Sequence, residues 1–426
     1  MATATTAQTD LVLLMRQMGQ KARAAAAALV RLTPEQKNEA LARMADGLRK
    51  AIPHLKEENA KDLKAGEERG LAGPKLKRLE LNDRRLGEMI QALEDVQRLP
   101  DPVGEIIEMS TRPSGLRVGR MRAPIGVIAI VYESRPNVTS DASSLCLKSG
   151  NAVILRGGSE AIHSNSAITD VLRGALEGTA VPPDAIQLVP TTDREAIGAM
   201  LGLEDLVDVV IPRGGRGLIE MVLRDARMPV LKHLDGNCHV YIDEHADLEM
   251  AKRLTVNAKT QYPAVCNAAE SLLVHRAVAE TALPPTLSAL IDAGVEIRGD
   301  ETVCKMEPRA KAATMEDWDT EYLDLILSVK VVDSLDEAVG WINTHGSHHT
   351  DAIVTRDHGH AMRFLNEVDS ASVFVNASTR WADGARFGLG CEIGISTDKL
   401  HARGPMGLRE LTTAKWIGLG DGQEVI

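Results

Sequence analysis

At 426 residues the chain exceeds the size over which a single hydrophobic core keeps growing, so two or three domains are expected. Its 44% apolar content suits ordinary globular cores; 60 acidic against 49 basic residues give a net charge of −11, and with no dense Lys/Arg tract a nucleic-acid role has no support. The five cysteines (Cys146, Cys238, Cys266, Cys304, Cys391) are odd in number, far apart and without CxxC spacing, which argues against a disulfide framework or a zinc site and for reduced thiols.

In chain order, the start is rich in Ala and Thr rather than basic, and the longest strongly apolar run, 125–132, is far below membrane-spanning length; no membrane association and a cytoplasmic location are expected. The first hundred residues carry helical periodicity, and Thr33-Pro34-Glu35-Gln36 predicts an N-cap, a proline at the first helical position and a capping-box glutamine. Residues 105–122 alternate polar and apolar around Pro113-Ser114-Gly115, which predicts a hairpin. From Pro124 short continuous apolar runs at 125–132, 152–155, 186–189, 207–211 and 239–242 alternate with helix-length stretches. Continuous apolarity means that both faces of a strand are covered, so these runs predict a parallel, doubly wound sheet. A second series at 271–275, 325–332, 351–355 and 372–376 predicts a second α/β domain.

Three segments of the first α/β region are candidates to meet a nucleotide. Arg156-Gly157-Gly158-Ser159 follows a strand and precedes a helix, where glycine permits close backbone approach and a helix start favours anions; a plain glycine turn is the alternative. Arg213-Gly214-Gly215 repeats the arrangement one βα unit later, and neither the GxGxxG fingerprint nor the Walker lysine motif is present. The third, 132–139, leaves the first strand at its carboxyl end. Farther on, Cys266 stands in a polar, proline-led loop that enters an apolar strand. That setting suits a nucleophile, with an inert buried cysteine as the alternative.

Motifs spread through most of the chain resemble those of the aldehyde dehydrogenase superfamily. They are Tyr-Glu-Ser-Arg-Pro-Asn-Val-Thr (132–139), Leu-Lys-Ser-Gly-Asn-Ala-Val-Ile-Leu-Arg-Gly-Gly-Ser-Glu-Ala (147–161), Asp-Gly-Asn-Cys-His-Val-Tyr (235–241), Asn-Ala-Lys-Thr-Gln (257–261) and Val-Cys-Asn-Ala (265–268). Ser-His-His-Thr-Asp-Ala-Ile-Val-Thr (347–355), Val-Asn-Ala-Ser-Thr-Arg (375–380), Phe-Gly-Leu-Gly-Cys-Glu-Ile-Gly-Ile-Ser-Thr (387–397) and His-Ala-Arg-Gly-Pro-Met-Gly-Leu (401–408) complete the set. Tyr262, Trp381 and Cys391 depart from the pattern. The branch most similar reduces L-glutamyl 5-phosphate to L-glutamate 5-semialdehyde, the second step of proline biosynthesis.

The resemblance implies an aldehyde dehydrogenase-like α/β fold: two doubly wound domains and a β-hairpin oligomerisation element. It implies a dinucleotide-binding domain over 1–104 and 124–242 with part of 383–410, a catalytic domain over 243–382, and an oligomerisation element from 105–123 and 411–426, hence a homo-oligomer. NADPH is the implied cofactor, since Arg156 takes the place of a family lysine beside the adenosine ribose and Ser159 that of a glutamate that would repel a 2′-phosphate. With Arg156, Gly157, Gly158, Ser159, Arg213, Gly214 and Gly215, the implied cofactor residues include Glu321, for the ribose hydroxyls, with a solvated helix-end or loop acid as the alternative. Cys266 becomes the thioester-forming nucleophile, and Asn137 an oxyanion donor or else a turn residue. His233 stands where the family's general-base glutamate does, as a proton carrier or a buried, hydrogen-bonded histidine. A glutamyl phosphate needs anion partners and an acid, for which Arg135, Arg380, Arg403 and Glu133 are the candidates, with surface or interdomain ion pairs as the alternative for the arginines. The chemistry calls for no metal, so the histidines His345, His348, His349, His358 and His360 are not read as a metal site. Transient contact with glutamate 5-kinase, the source of the unstable acyl phosphate, is the further partner expected.

Overall fold

The structure is a computed structural model and describes residues 2–71 and 74–425. It divides into two compact units: Met1–Lys232 with Gly388–Gly394 and Met406–Ile426, and His233–Phe387 with Ile395–Pro405.

In the first unit the capping box forms as the sequence predicts. The Gln36 N–H donates to Thr33 Oγ1 (3.4 Å) and the Thr33 N–H to Gln36 Oε1 (2.9 Å), opening the helix Pro34–Glu68. Four parallel strands lie side by side in the order Ile186–Leu188, Ala152–Gly157, Val127–Tyr132, Val209–Arg213. The first of these four strands in chain order thus sits between the second and the fourth, and the strand order reverses beside it. Ligands of open α/β sheets bind outside the carboxyl ends at such a reversal. Residues 127–132 and 152–157 are buried throughout, which is why these strands read as unbroken apolar runs.

The expected hairpin is present. Ile106–Thr111 pairs antiparallel with Arg117–Pro124, and Thr412–Leu419 adds a third antiparallel strand on the other side. The edge strand Ile106–Thr111 is exposed along its whole length, with Ile106, Ile107 and Met109 in solvent, and Trp416 on the opposite edge is 66% exposed.

The second unit holds a seven-stranded sheet, all neighbours parallel: Lys311–Ala312, Glu296–Gly299, Ile326–Val332, Ala269–His275, Cys238–Ile242, Thr350–Val354, Ser372–Val375. Alternate residues serve different cores. Val240, Ile242, Leu272 and Val274 enter one apolar cluster, whereas Tyr241, Leu273 and Ile353 enter another, as a period of two requires. One expectation is corrected here. The run 239–242 was assigned to the first domain, with a boundary at 242/243, but Cys238–Ile242 pairs on both sides with strands of the second unit, whose first residue is His233. Among the described residues, no helix is long and apolar enough to cross a membrane.

Candidate active site

Cys266 occupies the loop between the helix Leu248–Thr260 and the strand Ala269–His275. A buried ion pair closes that loop: Lys259, in the last turn of the helix, donates from Nζ to Oε2 of Glu270, the strand's second residue, at 2.5 Å. Burial pushes the Glu270 carboxyl up to about 8 and the Lys259 ammonium down, each opposed by the attraction of the other. The Leu323 N–H donates to Glu270 Oε1 (3.2 Å), so both carboxylate oxygens are engaged. Asn267 Nδ2 donates to the Ala382 carbonyl (2.8 Å), Arg380 Nε to Gln261 Oε1 (2.9 Å), and the Cys238 thiol to the Cys266 carbonyl (3.1 Å). These bonds hold the loop through its backbone and flanks and leave the half-buried Cys266 side chain outside the clamp.

Gly236 packs against the same backbone: a Cβ there would stand 1.9 Å from the Cys266 carbonyl oxygen. Neither backbone can yield without moving the other. Gly236→Ala is therefore expected to cost about 1–3 kcal/mol of stability. Displacing Cys266 by even an ångström should lower kcat about 10²-fold. Thermal unfolding and steady-state rates measured together check this.

His233 and His349 meet at the thiol. One ring nitrogen of each and Cys266 Sγ all lie within 4.8 Å of one another, and the two imidazoles are edge to face with centroids 5.2 Å apart. His233 Nδ1 is 2.8 Å from the Ile395 carbonyl, which can only accept, so Nδ1 carries a proton and, in the neutral ring, Nε2 carries the lone pair. Nε2 is then the nitrogen able to receive the thiol's proton. Arg380 is almost fully buried, and burial lowers its guanidinium from the usual range; Cys266 is among the groups whose charge acts on it. Arg403 is already paired, Nη2 donating to Asp369 Oδ1 at 2.8 Å and to the Asp369 carbonyl at 3.0 Å. Glu321 lies in the segment between Asp319 and Ile326, and its charge acts on Glu270 and on the Cys238 thiol.

In the first unit, the segment after Val127–Tyr132 is fixed by its own acids. Ser134 adopts φ 45°, and Glu160 Oε1 accepts from both its N–H (2.5 Å) and its hydroxyl (2.8 Å). Glu133 was expected to meet a substrate ammonium, but its Oε2 accepts the Gly215 N–H at 2.9 Å; a Cβ on Gly214 would press within 2.6 Å of the same oxygen. The start of the helix Arg216–Asp225, read as an anion site, thus already holds a carboxylate of the protein. Asn137 opens the helix Asn137–Lys148 and donates to Asp141 Oδ2 (2.9 Å). Burial raises the Asp141 carboxyl to about 6. Arg135 offers its carbonyl to the Val138 N–H (3.0 Å).

Arg156 is buried and points its guanidinium along the protein: Nη1 donates to the Gly157 carbonyl (2.9 Å), Nη2 to those of Thr192 (3.0 Å) and Asp193 (3.4 Å). Its Nε is buried with no partner among the described residues. The exposed Arg194 acts on it electrostatically, a second cation at this edge that sequence reading did not single out. Gly157 and Gly158 tolerate no side chain, since a Cβ would stand 2.1 Å from Asn165 Nδ2 and 2.2 Å from Glu160 Oε1 respectively. Ser159 is exposed, at the head of the short helical turn that follows. Arg213 ends its strand half-buried, against Gly394.

A parallel sheet with a strand-order reversal and a clamped thiol loop are the two halves of an aldehyde dehydrogenase. The aldehyde dehydrogenase family model matches residues 6–292, and the chain belongs to that family. It is 53% identical to the gamma-glutamyl phosphate reductase of Geobacter metallireducens over 96% of this chain and 98% of that one. The crystal structure of gamma-glutamyl phosphate reductase from Thermotoga maritima superimposes with a TM-score of 0.94 at 46% identity, covering 97% of this chain and all of that one. The enzyme of the same name from Saccharomyces cerevisiae gives 0.54 at 31% identity, over 97% and 98%. Within the family the chain falls in the gamma-glutamyl phosphate reductase branch.

Proposed function

We propose that this protein reduces L-glutamyl 5-phosphate to L-glutamate 5-semialdehyde and phosphate with NADPH, the second step of proline biosynthesis from glutamate. The observation that carries the reading is Cys266 held with its sulfur within 4.8 Å of a ring nitrogen of His233, whose Nδ1 is engaged by the Ile395 carbonyl. His233 Nε2 accepts the thiol proton, and the Cys266 thiolate attacks the acyl carbon, forming the carbon–sulfur bond as phosphate leaves with the carbon–oxygen bonding pair. Bound NADPH supplies the hydride that reduces the resulting thioester. Collapse of the hemithioacetal releases the semialdehyde and returns the thiolate. The Cys266 N–H is the first oxyanion donor of this reading; Asn137 is the second, with one amide hydrogen beyond its bond to Asp141. Arg380, buried beside the thiol, is the first choice among the anion partners, ahead of Arg135 and of Arg403, which Asp369 already neutralises.

The residues at the strand-order reversal fit a dinucleotide. Gly157 and Gly158 form a surface without side chains, the partnerless Nε of Arg156 marks an unfinished polar contact, and Arg194 adds exposed positive charge. Ser159 adds no negative charge, and Arg213, Gly214 and Gly215 frame the other side of the reversal. Glu321 is assigned to the ribose hydroxyls. NADPH is accordingly expected to be preferred over NADH. Arg156→Ala and Arg194→Ala should each lower kcat/KM for NADPH about 10- to 100-fold, the worth of one charge-assisted hydrogen bond, and leave NADH much less affected. Equal efficiency with the two cofactors in the unmodified protein would contradict the assignment.

The exposed apolar edge of the three-stranded sheet supports a homo-oligomer built through 105–123 and 411–426, because an uncovered edge strand invites pairing. A cytoplasmic location accords with five free cysteines, and an unstable acyl-phosphate substrate accords with transient contact with glutamate 5-kinase. The direct test of the whole reading is oxidation of authentic glutamate 5-semialdehyde by NADP+ in the presence of phosphate, followed by nicotinamide absorbance. No phosphate-dependent absorbance change would overturn it.

A further inference from the structure

Cys266, His233 and His349 are chemically a ligand set as well as a catalytic group. They supply one sulfur and two imidazole nitrogens, all within 4.8 Å of one another, from three separate segments of the second unit. Tetrahedral zinc sites are built from such sulfur and nitrogen donors, with bonds of about 2.0–2.3 Å, which puts ligand atoms about 3.5 Å apart. The contraction required is therefore at most about 1.3 Å. Cys266 and His233 are half-buried, while His349 is fully buried, with Nδ1 2.8 Å from Thr350 Oγ1.

The outer contacts also suit a metal. The Ile395 carbonyl engages His233 Nδ1 and leaves Nε2 as the nitrogen available to a metal, the role a carbonyl plays behind metal-bound histidines. Arg380 is the unfavourable neighbour, a cation whose charge acts on Cys266. Against it stand the thiolate itself and the Glu321 carboxylate, which acts on the adjoining Cys238.

We propose that Cys266, His233 and His349 form a three-ligand site for a thiophilic divalent cation of the zinc type, which binds reversibly and withdraws the thiolate from nucleophilic use. Binding replaces the S–H bond with a sulfur–metal bond and releases one proton to solvent; no electron is transferred. Three protein ligands leave the fourth position to water. The expectation that the chain uses no metal in its reaction is unaffected, because this cation competes with turnover. Binding rests on ligand geometry alone, whereas the loss of turnover rests also on Cys266 being the nucleophile.

Cobalt(II) is the probe, since a cobalt–thiolate bond gives a near-ultraviolet charge-transfer band. Titrating the full chain with cobalt(II) should produce that band, Cys266→Ser should abolish it, and zinc should displace it. His349→Gln and, independently, His233→Gln should each weaken cobalt binding about 100-fold or more. Metal-free alkylation of Cys266 by iodoacetamide in each variant controls for a folded, reachable thiol, and zinc should protect that thiol only in the unmodified chain. A second histidine group, Glu244, His245 and His360, lies elsewhere in the unit. Cobalt binding that survives Cys266→Ser and disappears in His360→Ala would place the metal there and overturn the proposal, as would equal affinity in both histidine variants and the unmodified chain. Cobalt binding at Cys266 without inhibition would leave the site standing and count instead against the thioester mechanism.

Discussion

Cys266→Ala is expected to abolish turnover, with a loss on the order of 10⁴-fold or more, and to leave the folded structure and cofactor binding intact. The separation follows from how the loop is held. The Lys259–Glu270 pair, the Asn267–Ala382 bond and the packing of Gly236 on the Cys266 backbone all persist when Sγ is removed. Even the bond from Cys238 ends on the Cys266 carbonyl, not on its sulfur. Nor does a neighbouring thiol replace the lost one. Cys238 is fully buried, and burial with nearby carboxylates pushes its thiol far above the ordinary range, so the thiolate is not formed there. The measurements are kcat/KM with the semialdehyde, the thermal midpoint and a titration with NADP+. Near wild-type turnover in a folded variant would end the thioester mechanism; unchanged folding with lost activity is the result the clamp predicts.

Much of the fold was legible in the sequence because its signals are local. Residues 127–132 and 152–155 lie in strands buried on both faces, and that alone made their apolar runs continuous. Thr33 and Gln36 are three residues apart and needed no tertiary information to pair. What stayed hidden depends on contacts distant in the chain. A buried parallel strand reads alike in either sheet, so nothing in 239–242 announced that its partners are 269–275 and 350–354. Glu296–Gly299 and Lys311–Ala312 are short, and with alternating or exposed side chains they produced no run to notice. The Lys259–Glu270 clamp joins residues eleven apart across a loop, and two charges in sequence do not reveal whether that loop closes. His349 sat in view within a histidine-rich stretch, yet only the fold brings it to His233, 116 positions earlier in the numbering. Glu133 carries the converse lesson. The sequence shows an acid beside a glycine loop, whereas the structure shows the two bonded to each other.

Oxidation of glutamate 5-semialdehyde should depend on phosphate, because, among the described residues, it is histidines and not a carboxylate that group with the thiol. The resemblance to the family sets His233 where hydrolytic members carry a glutamate, and its Nδ1 is tied to the Ile395 carbonyl. On the proposed reading its other nitrogen serves the thiol. Glu270, the carboxylate nearest in sequence, is spent on Lys259 and the Leu323 N–H, one oxygen for each. Phosphate attacks as an anion and needs no proton removed, so the thioester waits for it. Without phosphate, stopped-flow absorbance should record a burst of reduced cofactor stoichiometric with Cys266, followed by slow leakage through uncatalysed hydrolysis. Adding phosphate should restore steady turnover, and arsenate should substitute, with free glutamate as the product. The Cys266→Ala variant should give no burst, which ties the stalled species to that sulfur. Rapid release of glutamate without phosphate or arsenate would mean that another group activates water at the thioester, and a hydrolytic aldehyde dehydrogenase would then be the better description of this chain.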